Sequence, residues 1–238
     1  MNSIKYLVTF AEGKPYTQSQ KNIDKTLSIA EIDEHIMWNL KKLKQSNFYK
    51  DNKQLLDIER GYGYWSWKPY IILEQLEKIN EDDILIYMDA SRYETDGFKN
   101  SCKNVVQFMH NNSVDLLVGF RTNNKNWEMI KDKCLINFDL IDNEQFKKLD
   151  NVFTSPMFLR KTEKNIEFIK EWLEGCLNID NVSHEDLSYK GGKIHIYDQA
   201  VLNCLLYKHS IISYKPDIDD ELEFRKFTYY FDYFKNLL

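Results

Sequence analysis

Three charged side chains in this chain stand where residue type and position could do chemistry. Asp89 follows Ile84-Leu85-Ile86-Tyr87-Met88, a short apolar run rich in strand formers. Ligands of open α/β sheets bind beyond the carboxyl ends of strands. An acid at such a place is a candidate to hold a metal or to take part in a reaction. Read in isolation, the same Asp caps a turn. Lys68 lies in Arg60-Gly61-Tyr62-Gly63-Tyr64-Trp65-Ser66-Trp67-Lys68-Pro69. There, two glycines open backbone conformations that other residues resist, and four aromatics lie between two cations. Asp198-Gln199 precedes Ala200, Val201, Cys204 and Leu205 at helical spacing. On spacing alone, Asp198 is a helix N-cap and Gln199 a first-turn polar residue.

Gly61-Tyr62-Gly63-Tyr64-Trp65-Ser66-Trp67-Lys68-Pro69, a helix, and a strand ending in Tyr87-Met88-Asp89-Ala90 together resemble small bacterial and viral glycosyltransferases of the GT-A fold. The likeness runs from Lys5 to about Lys208 and is specific from Gly61 to Ser91. It implies an α/β, Rossmann-like nucleotide-diphospho-sugar transferase fold with a central mixed sheet flanked by helices. In that family the strand-end acid belongs to an Asp-x-Asp type of motif that holds the metal of a nucleotide-sugar. Here this means Asp89, with Ser91 standing where the fuller motif has a second Asp, and Mn²⁺ or Mg²⁺ as cofactor. Asp198-Gln199 is similar to the Asp-Gln pair of retaining GT-A enzymes, including galactosyltransferases of the family-8 type. The resemblance places both residues beside the donor sugar and matches Lys68 to a basic residue that contacts the same sugar.

Thr9-Phe10-Ala11 ends the first apolar run. Strand ends of this kind meet the nucleotide in α/β folds; an ordinary loop is the other reading, and the resemblance favours the nucleotide. With Arg60, Tyr64, Lys68, Asp89, Ala90 and Ser91 these residues make up the expected donor-binding set. Tyr62, Trp65 and Trp67 either shape the cleft or fill the core. Glycosyl transfer needs neutralisation of a leaving diphosphate, a negative group beside a cationic anomeric carbon, and loss of a proton from the acceptor hydroxyl. Arg60 and Lys68 are the cations for the first task. Asp89 and Asp198 are then expected to face one cleft. The implied activity moves a sugar from a nucleoside-diphosphate sugar, a UDP-sugar by preference, to a glycan or lipid-linked acceptor in capsule or lipopolysaccharide synthesis. Two other readings stay open. A nucleotidyltransferase also uses a strand-end acid with metal, although no Gly-rich phosphate loop follows the first strand. A catalytically silent carbohydrate-binding or scaffold protein fits the missing second Asp.

The elements that must position these residues follow from length and pattern. The 238 residues suffice for one sizeable α/β domain over 1–238. Hydrophobic residues at 43% and charged ones at 29% are those of an ordinary globular chain. A formal charge of -5 gives a nucleic-acid partner no electrostatic support. Cys102, Cys134, Cys176 and Cys204 form no Cys-x-x-Cys pair and read as reduced core thiols. The opening Met1–Tyr6 lacks a basic region followed by a long apolar segment, and no apolar run spans a bilayer. A cytoplasmic protein is expected, working at the inner face of the membrane.

Ile4–Phe10 reads as the first, central strand and Ser19–Ala30 as a helix. Asp33 is expected to cap a second helix with Ile36, Met37, Leu40 and Leu43 on one face, and 48–59 a third. Pro69 suits a first helical position. Lys68, preceding it, is expected to be extended and solvated. Ile72, Leu73, Leu76 and Ile79 are helical, as are Val105, Val106 and Met109. Val114–Phe120 reads as a strand ending at Arg121, a surface residue or an acceptor contact. Residues 123–150 suggest short helices and a loop for acceptor recognition. Ser155-Pro156 demotes the 152–159 strand to an edge or bulge. Thr162–Leu177 is a clear amphipathic helix. In the 181–193 loop, His184-Glu185-Asp186 cannot all face one ion. The aromatic stretch 216–238 is expected to be a helical extension that packs back on the domain or lies on a membrane surface.

Overall fold

Ile84–Met88 shows no polar alternation, the pattern of a strand covered on both faces, and the sheet is built around it. A computed structural model describes residues 3–24, 27, 31–90, 96–184, 194–209, 212–214 and 227–231. The first half runs β1 (Lys5–Phe10), α1 (Lys14–Asp24), β2 (Glu34–Trp38), α2 (Leu40–Gln45), α3 (Asn47–Asp51), α4 (Lys53–Leu56), α5 (Gly61–Tyr64), α6 (Trp67–Leu76), β3 (Ile84–Asp89) and α7 (Asp96–Asn111). The second half runs β4 (Leu116–Lys125), α8 (Asn126–Met129), α9 (Asp132–Asn137), α10 (Glu144–Lys148), β5 (Asp150–Val152), β6 (Met157–Arg160), α11 (Glu163–Leu177), α12 (Ile179–Val182), α13 (Tyr197–Lys208), β7 (Ile212–Tyr214) and β8 (Phe227–Phe231).

The result is a mixed α/β fold. The sheet order is β2-β1-β3-β6-β4-β8-β7, with β5 paired to β4. β2, β1 and β3 are parallel, and β6 reverses direction between β3 and β4. Strand alternation divides the core. Tyr6, Val8, Phe10, Leu85 and Tyr87 face the helices α6, α11 and α13, whose Ile72, Trp172 and Val201 are fully buried. Leu7, Ile84, Ile86 and Met88 face α1 and α7 through Ile23, Val105 and Met109.

The first helix occupies Lys14–Asp24, several residues earlier than the pattern of 19–30 suggests. The second expected helix divides. Glu34–Trp38 pairs with β1, Val8 opposite Ile36, and becomes an edge strand. Only Leu40–Gln45 is helical, started by Asn39, whose side chain accepts from the Lys42 N–H. The apparent helical period of Ile36, Met37, Leu40 and Leu43 merged two elements across this cap. Residues 48–59 likewise split into two short helices, capped at Ser46 and interrupted at Asn52. Pro156 follows a cis bond from Ser155, just outside β6. β6 is therefore an interior strand, not an edge, because the proline takes no ladder position. Phe227–Phe231 corrects the helical C-terminal extension: it pairs antiparallel with β4 and β7. Phe-Thr-Tyr-Tyr-Phe favours strand over helix by propensity. The acidic stretch 216–223 and residues 232–238 lie outside the described residues. All four cysteines are buried free thiols.

The aromatic turn has a backbone feature of its own. Gly61, Tyr62, Gly63, Tyr64 and Trp65 all have positive φ, from 54° to 85°. One turn of chain thus runs left-handed, closed by Tyr64 N–H to Arg60 O at 2.7 Å and Trp65 N–H to Gly61 O at 3.2 Å. Left-handed conformation costs a non-glycine residue about 1–2 kcal/mol, so three aromatics are held here by their packing. A Cβ on Gly63 would meet the Leu55 carbonyl oxygen at 2.7 Å and Leu56 Cα at 3.0 Å, whereas at Gly13 nothing lies within 4 Å. Gly63→Ala should destabilise the protein by about 1–3 kcal/mol more than Gly13→Ala in urea unfolding. Equal losses would show that the approach of this turn to α4 is not tight.

Candidate functional site

Parallel pairing of β1 with β3 sets Phe10 directly beside Asp89, so both strands end at the same edge. The left-handed turn and α6 close over that edge. Phe10 stacks on Trp67 with ring centroids 3.9 Å apart, and the Trp67 indole N–H donates to Gly61 O at 2.9 Å. Between turn, strand ends and α13 lies a cavity of about 540 Å³, whose lining includes Phe10, Tyr62, Trp65, Trp67, Lys68, Asp89, Asp198 and Gln199.

Lys68 is the centre of this cavity's polar floor. It is only 4% exposed. Its ammonium lies 3.0 Å from Asp198 Oδ2 and 3.8 Å from Asp89 Oδ1, and it donates to Thr154 Oγ1 at 2.8 Å. Thr154 takes the hydrogen bond, and the two carboxylates hold the ammonium as ion pairs. Lys68 is helical, not extended: its N–H bonds Trp65 O at 2.9 Å, and Pro69 is the third residue of α6. Proline is tolerated within a first turn. The solvated lysine expected before it is a buried ion-pair member. Asp198 is likewise not the N-cap; Ile196 is. A left-handed Tyr197, φ 52°, opens the helix, and Asp198 turns inward, with its carbonyl accepting from the Trp172 indole N–H at 2.9 Å.

Asp89 is tied differently. Its Oδ1 accepts from the Tyr87 hydroxyl at 2.7 Å, and its N–H donates to Ser155 Oγ at 2.9 Å. Its side chain keeps 35% of its surface exposed, against 6% for Asp198. Asp89 therefore offers an oxygen to the cleft, while Asp198 supplies charge from below.

Two carboxylates share one ammonium here. Attraction outweighs burial at Lys68 and holds its pKa above the ordinary value. Burial wins at Asp198, raising its pKa from 3.8 to about 6, with nearby Asp89 adding to the rise. These directions agree on one picture: the lysine stays charged, and Asp198 takes up a proton more readily than a solvated aspartate does.

The remaining expected residues divide by position. Ala90 lines the cavity. The Thr9 side chain points to the opposite sheet face, where its hydroxyl contacts His35 Nε2 and Gln20 Nε2 at 2.8 and 2.9 Å. Ala11 is buried, its N–H donating to Trp38 O. Neither lines the cavity. Arg60 lies against the wall instead of inside it: Nε donates to the Tyr197 hydroxyl at 3.1 Å, with the guanidinium 5.6 Å from the Trp65 ring. Tyr64 is buried, stacked on Tyr197 at 5.5 Å. Ser91 lies outside the described residues, as do Glu185, Asp186, Gly191 and Gly192; His184 sits 3.5 Å from the Tyr197 hydroxyl. Arg121 belongs to β4, opposite Val152. Tyr87, Thr154 and Ser155 were not singled out by sequence. Tyr87 had a signal, since it precedes Asp89 by two on one strand face. Thr154 and Ser155 had none, because only the β5–β6 corner brings them to β3.

No family model matches the chain, and no curated protein does. Among solved structures, one described as a glycosyltransferase involved in the glycosylation of the major capsid of PBCV-1 matches with a TM-score of 0.42 and 10% identity, over 87% of this chain and 76% of that one. A likeness that distant carries no functional argument, so the functional reading rests on the site itself.

No group of three or more His, Cys, Asp or Glu side chains able to hold an ion occurs among the described residues. At the strand end the cleft offers the Asp89 carboxylate, and Glu12 and Glu59 line the cleft without joining it in a group able to hold an ion. That fits a hard divalent ion which takes most of its oxygens from substrate phosphates and water. It does not fit an all-protein cage.

Raising a folded-state carboxyl pKa favours the protonated form. The stability that Asp198 contributes is therefore fully present below pH 3.8 and lost as pH rises through about 6. Unfolding free energies of wild type and Asp198→Asn, compared from pH 4 to 7, should diverge, with wild type losing stability relative to the variant by up to roughly 2–3 kcal/mol. Parallel pH profiles would show that Asp198 titrates normally.

Proposed function

We propose that this chain is a glycosyltransferase that takes its sugar from a nucleoside-diphosphate sugar. One observation supports the reading above the others. Asp89, at the end of β3, and Asp198, in the first turn of α13, share the buried ammonium of Lys68 at the floor of an aromatic-walled cleft. Ligand clefts of α/β sheets open beyond such strand ends.

The residues divide the work as follows. Flat faces of Tyr62 and Trp65 offer apolar surface to a sugar or base, backed by Trp67 stacked on Phe10. Asp89 faces the cleft and would hold Mn²⁺ or Mg²⁺ together with the donor phosphates; such an ion neutralises charge on the departing diphosphate. Lys68 keeps both acids oriented and limits the repulsion between them. Asp198 supplies negative charge beneath the position of the sugar, where positive charge develops at the anomeric carbon. Gln199, on the same helical turn, is placed to hydrogen-bond the sugar. The acceptor would enter from the open side, past Glu12 and Tyr16.

The test is a panel of nucleotide-sugars, uridine donors first, assayed for hydrolysis with and without Mn²⁺. At least one donor should be turned over, and Asp89→Asn should reduce that turnover by about a hundredfold while leaving thermal stability near wild type. Transfer of a nucleotidyl group from a nucleoside triphosphate, with no sugar release, would overturn the reading in favour of a nucleotidyltransferase. Saccharide binding without any nucleotide-sugar binding would favour a silent carbohydrate-binding protein.

A further inference from the structure

Beside the ion pair, three side-chain amides run in series from the cleft into the core. Gln199 Nε2 donates to Asn151 Oδ1. Asn151 Nδ2 donates to Asn126 Oδ1 at 2.9 Å. Asn126 Nδ2 donates to the main-chain carbonyl of Phe146 at 3.2 Å. Asn126 and Asn151 are buried, at 2% and 0% exposure. Asn203 ties the Gln199 end to the strand that carries Asn151. Its amide bonds both the N–H and the C=O of Val152 at 2.9 Å, next to Asn151, and donates to Gln199 O at 2.8 Å.

A primary amide can turn over and exchange donor for acceptor, but a main-chain carbonyl can only accept. Phe146 O therefore fixes Asn126, with its nitrogen toward the carbonyl and its oxygen toward Asn151. Asn151 must then give its nitrogen to Asn126 and its oxygen to Gln199. Gln199 must spend Nε2 on Asn151. Turning any one amide would set two oxygens or two N–H groups against each other, and at the buried Asn126 and Asn151 that costs far more than the same mismatch at a surface. Gln199 lines the cleft. With one Nε2 proton committed to Asn151 the amide cannot turn over, so Oε1 keeps a fixed place on the cleft side.

We propose that Asn126 and Asn151 are positioning residues that lock the Gln199 amide with its oxygen toward the cleft, so that the cleft selects a sugar presenting a hydroxyl or other hydrogen-bond donor at that point. The substrate side of this inference rests on the transferase reading; the lock does not. A sugar that places a carboxylate or a carbonyl there meets an acceptor with an acceptor and is rejected.

The lock is read by NMR on protein labelled with ¹⁵N-glutamine, the Gln199 side-chain amide being assigned by its loss in Gln199→Glu. In wild type, one Nε2 proton should exchange slowly with solvent. Asn126→Leu, remote from the cleft, removes the acceptor that fixes Asn151 and should abolish that protection. Asn126→Asp, whose buried carboxyl when protonated donates to Phe146 O and accepts from Asn151, should retain it. Calorimetry supplies the substrate arm. Asn126→Leu should weaken binding of the intact nucleotide-sugar about tenfold, leave the nucleoside diphosphate unaffected, and be rescued by Asn126→Asp. Fast exchange of both Gln199 amide protons in wild type would overturn the lock without reference to any variant's folding. Equal weakening for nucleotide-sugar and nucleoside diphosphate would overturn the selection of the sugar. Should wild type bind no nucleotide-sugar at all, the transferase reading fails with the selection, while slow exchange would still establish the lock.

Discussion

An ammonium ion removed from water must be surrounded by oxygens, or the fold bears several kcal/mol of uncompensated charge. Lys68 imposes that requirement, and three separate chain segments converge to meet it. β3 brings Asp89, the β5–β6 corner brings Thr154, and the first turn of α13 brings Asp198. None of these contacts is local in sequence. The cation thus fixes how the parallel half of the sheet, the antiparallel half and the last described helix meet. Replacing such a cluster by apolar side chains is often neutral or stabilising. Its presence at the floor of a cleft is therefore better explained by chemistry than by stability.

The left-handed turn serves the same arrangement from the other side. It reverses the chain within five residues, sets Trp67 on Phe10, and starts α6 so that Lys68 points down into the floor. Its strain is borne by aromatic packing. Tyr64 and Trp65 both lie against Tyr197, at 5.5 and 5.1 Å between ring centroids. Tyr197 is itself left-handed and immediately precedes Asp198. Sparsely populated backbone of this kind persists where the surroundings over-determine it, and it clusters at functional sites. Two such segments, packed face to face, flank the two ends of the Lys68–Asp198 pair.

Much of this was legible in the sequence where the signal is local. Ile84–Met88 reads as a doubly covered strand because it lacks alternation, and Asp89 reads as its end, at the place where α/β sheets bind ligands. Thr162–Leu177 reads as a helix from its period and its Thr162 cap. The two glycines of the aromatic turn announce positive φ, though not that Tyr62, Tyr64 and Trp65 would share it. What failed is what tertiary contact decides. Glu34–Trp38 is a strand because β1 offers it a partner, and Phe227–Phe231 is one because β4 and β7 do. Lys68 looked solvated because no local pattern reveals that Thr154 and Asp198 will fold over it. Thr9 looked like a nucleotide contact by position, yet strand alternation turns it to the far face, a parity that could have been counted from Phe10.

The claim on which the account stands is that Lys68 and Asp198 form one buried, mutually dependent unit. A double-mutant cycle at pH 7.5, with Lys68→Met, Asp198→Asn and the pair together, measures that dependence directly. Lys68→Met leaves two carboxylates without their cation and should cost about 3–5 kcal/mol in denaturant unfolding, whereas Asp198→Asn leaves the ammonium with Asp89 and Thr154 and should cost far less at this pH. The double variant should recover much of that loss, giving a coupling energy of at least about 2 kcal/mol. Additive losses, with coupling near zero, would mean that the two residues do not act together, and the site built on them would fall.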